Sequence, residues 1–365
     1  MRIMHIDPVK EWRGGQQQVI YLHEGLLKLN HQSVLVCAPD SELAGYCQKK
    51  NLPFYTLKMR GEWDISAISG LKKIIKKENP QILHLHSAPA VTLGLYLKLF
   101  IRALKLVATR RVDFPVKKPL IGVWKYSNHF LDKIVCISDN IKKVMRRDGV
   151  PVAKLEVIHS GIDIGKFELE NLSFSLKNEY KIPADHLIIG TVAALVGHKD
   201  YPNLINAAGI VLKSFKNVTF CALGDGPDKK DLQGLIDGLG LNDNFKLCGF
   251  TKDVTSFLKQ LDIFVLASRM EGMGTSVLDA EACGLPVVAT KAGGIPEIVM
   301  HKKNGILVPP ENPAELAGAL LALINDQALR HQYGKESKEV VKKFDKKVMI
   351  AKNLELYEKL LNGKS

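Results

Sequence analysis

Long apolar runs are missing from this sequence, although 46% of its 365 residues are hydrophobic. It has no uncharged apolar stretch of about 18 residues or more, so we expect no segment that spans a bilayer. The opening residues, Met-Arg-Ile-Met-His-Ile-Asp, also lack the run of about 7 to 15 apolar residues that a secretory signal needs. Both absences favour a protein of the cytoplasm.

Cysteine and paired metal ligands are also scarce. The six cysteines include no CxxC pair, and four of them lie in runs typical of β-strands, namely Cys37, Cys136, Cys221 and Cys248. This spacing favours reduced core thiols over disulfides or a zinc centre. His84 and His86 point to the same face of a strand, but no third ligand has a recognisable spacing, so the sequence predicts no metal site.

Positive charge is unevenly distributed along the chain, whose net charge is +13. Residues 1–165 contain 26 lysines and arginines against 14 acids, a net of +12, whereas residues 166–365 contain 25 against 24, a net of +1. We therefore expect the first half to meet something anionic, such as a membrane face or a phosphorylated glycolipid. Nucleic acid is not predicted as a partner, because no basic motif interleaved with aromatic residues occurs.

Short apolar runs alternate with helical patterns in both halves of the chain, which is typical of parallel sheets covered by helices. The strands predicted in the first half are Ile3–Ile6, Ser33–Cys37, Gln81–His86, Leu106–Thr109, Lys133–Ile137 and Leu155–His159. The helices predicted between them are Gln17–Leu29, Ile65–Lys77, Val91–Leu104 and Asn140–Arg147. After a looser stretch over Asp163–Asp185, the second set of strands is Leu187–Val192, Val218–Leu223, Phe245–Leu247, Ile263–Leu266 and Val287–Ala289.

This alternation predicts an α/β protein with two Rossmann-like, doubly wound domains, residues 1–165 and residues 166–345. Ligands of such sheets bind beyond the carboxyl ends of the strands. Two domains facing a central cleft would therefore suit a transfer between two substrates.

The most informative segment is Glu271-Gly-Met-Gly-Thr-Ser-Val-Leu-Asp279, which follows a predicted strand and leads into helical spacing. Gly272 and Gly274 let the backbone approach a ligand closely, and the amides of residues 274–276 would begin a helix that binds phosphate. Taken alone, the segment also fits an ordinary glycine-rich turn with solvated carboxylates.

Together with four further segments, this motif resembles the retaining glycosyltransferases of family 4, which have the GT-B fold. The family signature is a Glu, seven residues and a second Glu. The supporting segments are Ala292-Gly-Gly-Ile-Pro-Glu297-Ile-Val, Asn304-Gly-Ile-Leu-Val-Pro309, Leu223-Gly-Asp-Gly-Pro227 and His159-Ser-Gly-Ile-Asp163.

The resemblance implies that Glu271 is catalytic and hydrogen-bonds the transferred sugar, and that the second acid, here Asp279, binds the ribose. Lys199 would stabilise the diphosphate, while Ala194 stands where the family usually has Arg. Arg269 could add a second cation, but it equally fits an unpaired side chain at the loop surface. The other donor-binding candidates are Gly274, Thr275, Ser276, Gly249 and Gly15.

In the first half, a Gly-Gly turn after the first strand resembles the family's turn at the same place. Many relatives carry, near the position of Asp113, a His that contacts the sugar, and this chain lacks it. Asp113 is therefore a third catalytic candidate. It would contact a sugar or acceptor hydroxyl, or alternatively bridge Arg110 or Arg111. The candidates for contact with the acceptor or sugar are Gly14, Gln16, His86 and Arg111.

The resemblance further implies transfer of a hexose from a nucleotide-sugar, with UDP favoured, to a glycan or lipid-linked acceptor of the bacterial envelope, such as lipopolysaccharide. It implies no metal and no cofactor beyond the donor, and a final helix within 346–365 that returns to the first domain. A nucleotide-sugar epimerase of similar fold and a non-catalytic nucleotide-sugar-binding protein are the alternatives.

A basic stripe on the predicted helix Val91–Leu104 suggests attachment to the anionic cytoplasmic face of a membrane. Lys98, Arg102 and Lys105 form this stripe, and Lys117, Lys118 and Lys125 extend its charge. The same stripe also fits a merely solvated helix face.

Overall fold

The computed structural model describes residues 1–61, 64–115, 119–168 and 172–363. The chain divides into two compact units, one formed by Met1–Gly161 with Lys346–Ser365 and the other by Ile162–Asp345. The first junction therefore falls after Gly161, whereas the sequence analysis placed it after residue 165. In the described part of the chain, no helix combines the length and the apolar character needed to cross a membrane.

The first unit contains a fully parallel sheet of seven strands in its described residues. The strands are β1 (Arg2–Asp7), β2 (Gln32–Cys37), β3 (Phe54–Thr56), β4 (Ile82–Leu85), β5 (Lys105–Arg110), β6 (Lys133–Cys136) and β7 (Leu155–Val157). The helices between them are α1 (Gly14–Lys28), α2 (Glu42–Lys50), α3 (Ile65–Glu78), α4 (Ala88–Phe100), α5 (Pro119–Ser127) and α6 (Asp139–Arg147). The strand order is β3-β2-β1-β4-β5-β6-β7, so the chain reverses direction across the sheet between β1 and β4.

Among its described residues, the second unit repeats this plan with a parallel sheet of six strands. The strands are β8 (Leu187–Val192), β9 (Val218–Leu223), β10 (Phe245–Leu247), β11 (Ile263–Leu266), β12 (Val287–Thr290) and β13 (Gly305–Val308). The helices are α7 (Leu176–Glu179), α8 (Tyr201–Ser214), α9 (Lys229–Gly238), α10 (Val254–Leu258), α11 (Thr275–Ala282), α12 (Pro313–Asn325) and α13 (Gln327–Val340). The order is β10-β9-β8-β11-β12-β13, and the reversal falls between β8 and β11.

Local sequence explains many of these elements. The strands are rich in apolar residues and largely buried, as expected where helices cover both faces of a parallel sheet. Ser41 and Ser138 accept hydrogen bonds from the amides of Ala44 and Ile141, and so cap the N-termini of α2 and α6. These caps satisfy amides that have no partner within the helix.

The last helix, α14 (Lys346–Leu361), belongs to the first unit. It packs on α1, where a Cβ at Gly25 would lie 2.3 Å from Ile350 Cδ1. Tyr357 is completely buried, and its hydroxyl lies 2.5 Å from His84 Nδ1. The end of the chain therefore completes the core beside the centre of the first sheet.

The helix predicted over Val91–Leu104 is displaced, because α4 spans Ala88–Phe100. Ile101 closes α4, and the chain then turns into β5, which begins at Lys105. Arg102 and Lys105 therefore do not continue a helical stripe from Lys98, and the predicted basic stripe is wrong. In doubly wound sheets ligands bind at the reversal of strand order, beyond the carboxyl ends of the strands, so that edge positions the candidate site in each unit.

Candidate active site

The two residues assigned to the donor phosphates and sugar lie together in the second unit. Lys199 ends a 3₁₀ turn, Gly197–Lys199, in the loop after β8, and Glu271 lies in the loop after β11. The Lys199 ammonium forms an ion pair with Glu271 Oε1, and the two side chains are only 16% and 11% exposed. Because β8 and β11 are neighbours at the reversal of strand order, residues separated by 72 positions meet at one edge of the sheet.

The loop that carries Glu271 is held by hydrogen bonds from its own Ser268 side chain, from the end of β12 and from the segment that follows β12. Gly294 donates its amide to the Glu271 carbonyl at 3.1 Å, and Ser268 Oγ donates to the Glu271 carboxylate at 3.3 Å. The buried Thr290 hydroxyl donates to the Ser268 carbonyl at 2.5 Å. The Ala-Gly-Gly segment noted in the sequence therefore supports the loop that positions Glu271.

Arg269 joins the two loops. Its amide donates to the His198 carbonyl at 2.9 Å, and its Nη2 donates to the Gly197 carbonyl at 2.8 Å. Its Nη1 also lies 3.3 Å from Glu311 Oε1. The interpretation of Arg269 as an unpaired surface residue is therefore wrong, since its guanidinium holds the loop that ends at Lys199.

Helix α11 begins directly after this loop. Gly274 precedes it with φ +81°, a conformation that favours glycine, and a Cβ there would lie 3.3 Å from Ile295 Cγ1. No side chain among the described residues caps the helix, and Thr275 and Ser276 are half-buried at its first turn. The amides of these two residues and the helix dipole therefore favour an anion at this end.

Asp279 lies one turn further along α11. Burial raises the pKa of its carboxyl group to about 7, and the nearby Lys166 ammonium opposes that shift. Lys166 belongs to a 3₁₀ turn, Ile164–Phe167, that packs against α11. Asp279 is thus poised to change its charge near neutral pH.

Gly249 lies in the loop after β10 and has φ +67°. Its carbonyl accepts the amide of Gly224 at 2.7 Å. Gly224 and Gly226 in turn press against the loop after β8, where a Cβ would lie 1.9 Å from the Ala193 carbonyl and 2.3 Å from the Leu195 carbonyl. These glycines therefore set the path of the loop that carries Lys199. Ala194 is exposed in that loop.

In the first unit, the N-terminus of α1 is tied to β1. The side chain of Gln16 donates to Asp7 Oδ2 at 3.0 Å and accepts the amide of Arg13 at 3.2 Å. Gln16 is buried, so both ends of its amide serve the turn. Gly15 lies against Arg111, since a Cβ there would be 3.1 Å from Arg111 Cδ, and Gly14 is the first residue of the helix.

Arg111 contacts a buried group of histidines. Arg111 Nη2 donates to His86 Nδ1 at 3.1 Å, and burial lowers the pKa of His86 well below its usual value. The neutral His86 ring therefore carries its proton on Nε2, which donates to His5 Nδ1 at 3.0 Å. His86 is buried. Burial also lowers the pKa of Arg111 to about 10, and the charge of Asp7 opposes that shift.

The sequence analysis missed His5 as a neighbour of His84 and His86, because it lies on a different strand. Ligand atoms of the three rings lie within 4.8 Å of one another. However, the two nitrogens of His84 already contact the hydroxyls of Tyr357 and Thr109, at 2.5 and 2.6 Å. A hydrogen-bonded network thus accounts for the grouping. Asp7 and Lys166 were missed as well. The only signals in the sequence were the position of Asp7 directly after the predicted strand Ile3–Ile6 and the position of Lys166 beside Gly165.

Asp113 is half-buried in the segment after β5. The adjacent Arg110 donates to the Phe114 carbonyl at 2.7 Å and stacks between the rings of Phe114 and Tyr126. Arg110 therefore shapes this segment, and a sugar contact by Asp113 stays a prediction.

The lysines of the predicted stripe are used inside the unit. Lys98 is 9% exposed and donates to the Leu104 carbonyl, and both Lys98 and Lys105 pair with Asp132, at 3.8 and 3.4 Å. Lys125 is buried against Tyr126. Lys117 and Lys118 lie outside the described residues.

Known families match nearly the whole chain. Residues 12–166 match the family described as Glycosyltransferase Family 4, and residues 174–340 match Glycosyl transferases group 1. An uncharacterized glycosyltransferase of Methanocaldococcus jannaschii is 30% identical over 317 residues, which cover 85% of this chain and 84% of that protein. The UDP-Gal:alpha-D-GlcNAc-diphosphoundecaprenol alpha-1,3-galactosyltransferase of Escherichia coli is 23% identical, with 90% and 89% covered.

Among solved structures, Anabaena HepE in complex with UDP superposes with a TM-score of 0.86 at 20% identity, covering 98% of this chain and all of HepE. Two parallel-sheet units of the Rossmann type, together with these matches, define a glycosyltransferase with the GT-B fold. Within that class, the chain belongs to glycosyltransferase family 4.

Proposed function

We propose that this enzyme transfers a hexose from a UDP-sugar to an acceptor with retention of the anomeric configuration. The observation that carries the proposal is the Lys199–Glu271 ion pair beside the N-terminus of α11. When the donor binds, the two side chains part, the ammonium turning to the diphosphate and the carboxylate to the sugar hydroxyls. The site thus offers a cation for the diphosphate and a hydrogen-bond acceptor for the sugar hydroxyls, and a nucleotide-sugar carries both of these groups.

The chemistry needs charge stabilisation at the leaving group. The bond between the anomeric carbon and the UDP oxygen breaks as the acceptor oxygen bonds to that carbon from the same face. The acceptor proton passes to a phosphate oxygen of the departing UDP. Lys199 and the α11 amides stabilise the charge on that phosphate, because fixed donors are most effective in a partly buried site. This route requires no metal ion.

The second unit would bind the donor, with Asp279 at the ribose, and the first unit would bind the acceptor. The relative from Escherichia coli is named for a UDP-galactose donor and an acceptor linked to a lipid diphosphate, and HepE was crystallised with UDP. We propose an acceptor of the same chemical class, a glycan or lipid-linked glycan of the cell envelope, used at the cytoplasmic face of a membrane. Arg111, at the Gly14–Gly15 turn, would face its anionic groups.

A screen of nucleotide-sugars, read out as nucleotide release with and without acceptor, tests this function. We expect release only when the acceptor is present, from a UDP-hexose, and unchanged by EDTA. NMR of the product should show the anomeric configuration of the donor. Release of nucleotide without acceptor would instead indicate a hydrolase, and conversion of the donor into a second nucleotide-sugar without net release would indicate an epimerase. Binding without any conversion would indicate a non-catalytic binding protein, and an inverted product would exclude retention.

A further inference from the structure

A surface of the first unit combines exposed apolar side chains with lysines. Leu99 and Phe100, the last two residues of α4, are 55% and 61% exposed. Phe100 lines a groove between α3 and the end of α4, whose apolar lining also includes Ile68 and Ile101. Large apolar residues exposed next to each other in this way mark a contact surface more often than an isolated exposed residue does.

Three lysines of α3 line the same groove. Lys72, Lys73 and Lys76 are exposed, and the Lys72 ammonium lies 4.1 Å from the centre of the Phe100 ring. Within the described ranges, none of the three forms an ion pair with a carboxylate. Glu78, on the same helix, is bound to the Tyr55 hydroxyl at 2.5 Å. The groove therefore presents positive charge that the fold does not neutralise.

The charge and the apolar side chains of this surface indicate the kind of partner that it binds. A second copy docked symmetrically would bring the lysines of one chain against those of the other, which is unfavourable. An anionic lipid surface satisfies both features, because the headgroups attract the lysines while Phe100 and Leu99 enter the boundary between headgroups and acyl chains. We propose that the surface formed by Lys72, Lys73, Lys76, Leu99 and Phe100 attaches the enzyme to an anionic membrane.

This inference rests on the proposed function in one respect, since a lipid-linked acceptor places the reaction at a bilayer. The end of α4 lies at the amino edge of the first sheet, because β5 begins shortly after it, so attachment there leaves the loops at the carboxyl edge uncovered. The proposed surface replaces the stripe predicted on Val91–Leu104. That stripe required Lys98 and Lys105, which are engaged by Asp132, whereas the α3–α4 surface uses side chains that are exposed.

Co-sedimentation of the full chain with vesicles tests the proposal. Phosphatidylcholine vesicles with and without phosphatidylglycerol are compared for the native protein, for a triple variant (Lys72→Glu, Lys73→Glu, Lys76→Glu) and for Phe100→Ser. A second triple variant in the other unit, Lys213→Glu with Lys216→Glu and Lys230→Glu, changes the net charge equally at exposed positions. Thermal unfolding and circular dichroism establish that each variant is folded.

We expect the native chain and the second triple variant to bind only the anionic vesicles, and the α3 variant to bind them at least about tenfold more weakly. High salt should reverse binding, and Phe100→Ser should bind more weakly and release at lower salt, because it retains only the electrostatic part. Equal losses in the two triple variants would show that net charge alone acts and would overturn the proposal. So would binding that ignores lipid charge, binding to duplex DNA in preference to vesicles, or a dimer that the α3 changes dissociate.

Sugar transfer to a soluble acceptor separates this proposal from the proposed function. The α3 variant should retain that activity, since its changes lie outside the candidate site. A chain that binds vesicles but transfers no sugar would contradict the proposed function alone, and an active chain that ignores anionic vesicles would contradict the membrane surface alone.

Discussion

The contact between Lys199 and Glu271 illustrates, at the scale of single residues, what the sequence could and could not predict about the proposed donor site. Both residues were assigned from the resemblance to family 4, Glu271 as the first acid of the signature that ends at Asp279 and Lys199 as the lysine that follows Ala194. Their ion pair could not be predicted, since it depends on β8 and β11 becoming neighbours. The same limit applies to Arg269, whose carbonyl partners lie on the loop after β8 and whose acidic partner, Glu311, follows β13.

Asp279 provides a pH-dependent prediction at this scale. Burial raises its pKa to about 7, so the carboxylate is protonated below that pH and ionised above it. The ionised group accepts strong hydrogen bonds on both oxygens, whereas the protonated group has one oxygen occupied as a donor and is the weaker acceptor for the two ribose hydroxyls. The affinity for a UDP-sugar should therefore fall about tenfold between about pH 8 and about pH 6, because each pH unit below the pKa lowers the ionised fraction roughly tenfold.

Calorimetric titration with the UDP-sugar measures this effect, since both of its phosphates are esterified and do not titrate in that range. Asp279→Asn should bind weakly and equally at both ends of the range. A pH dependence that survives in Asp279→Asn would show that another group controls donor binding.

At the scale of elements, the loops after β8, β9 and β10 contact one another and together fix the position of Lys199. The carbonyl of Gly249 holds Gly224, and Gly224 and Gly226 press on the backbone at Ala193–Leu195. The sequence motif Leu-Gly-Asp-Gly-Pro therefore has a structural role in placing Lys199. Its resemblance to a known motif could be recognised from sequence, but its partner, the loop after β8, could not.

Gly226→Ala should destabilise the protein by about 1 to 3 kcal/mol and weaken UDP binding, because the added Cβ would lie 2.3 Å from a backbone oxygen that cannot move freely. Gly234→Ala is the matched control, since Gly234 is exposed in α9 and a Cβ there meets no other atom. That control should be neutral or slightly stabilising, because alanine favours helix. Urea unfolding and UDP titration measure both quantities. Equal stability of the two variants would contradict this role of the glycine.

Helix boundaries and edge elements were the least predictable parts of the fold. The apolar pattern of α4 continues through Ile101 and Leu104, so sequence alone extends the helix to residue 104. In the folded unit, Lys98 donates to the Leu104 carbonyl and pairs with Asp132, which turns the chain towards β5. The short elements α2, β3 and β13 were among those that the sequence analysis missed.

At the scale of the whole molecule, strand alternation was sufficient to predict two Rossmann-like units. All five strands predicted in the second half occur, with β12 one residue longer. Parallel strands that are buried on both faces produce strong apolar runs, which explains this success. The excess of positive charge in the first half was visible too, but its position on α3 required the structure, because the lysines of the first half are divided between internal pairs and exposed surface.

The central claim is that Glu271 forms hydrogen bonds with the transferred sugar, while other residues bind the nucleotide part of the donor. Steady-state kinetics and UDP calorimetry on Glu271→Ala test it most directly. We expect kcat to fall at least about tenfold to a thousandfold, because hydrogen bonds that strengthen in the transition state are lost. The affinity for UDP and the unfolding temperature should stay close to those of the native enzyme. A variant that keeps more than about half of the native kcat, or one that loses UDP binding together with its fold, would contradict the account.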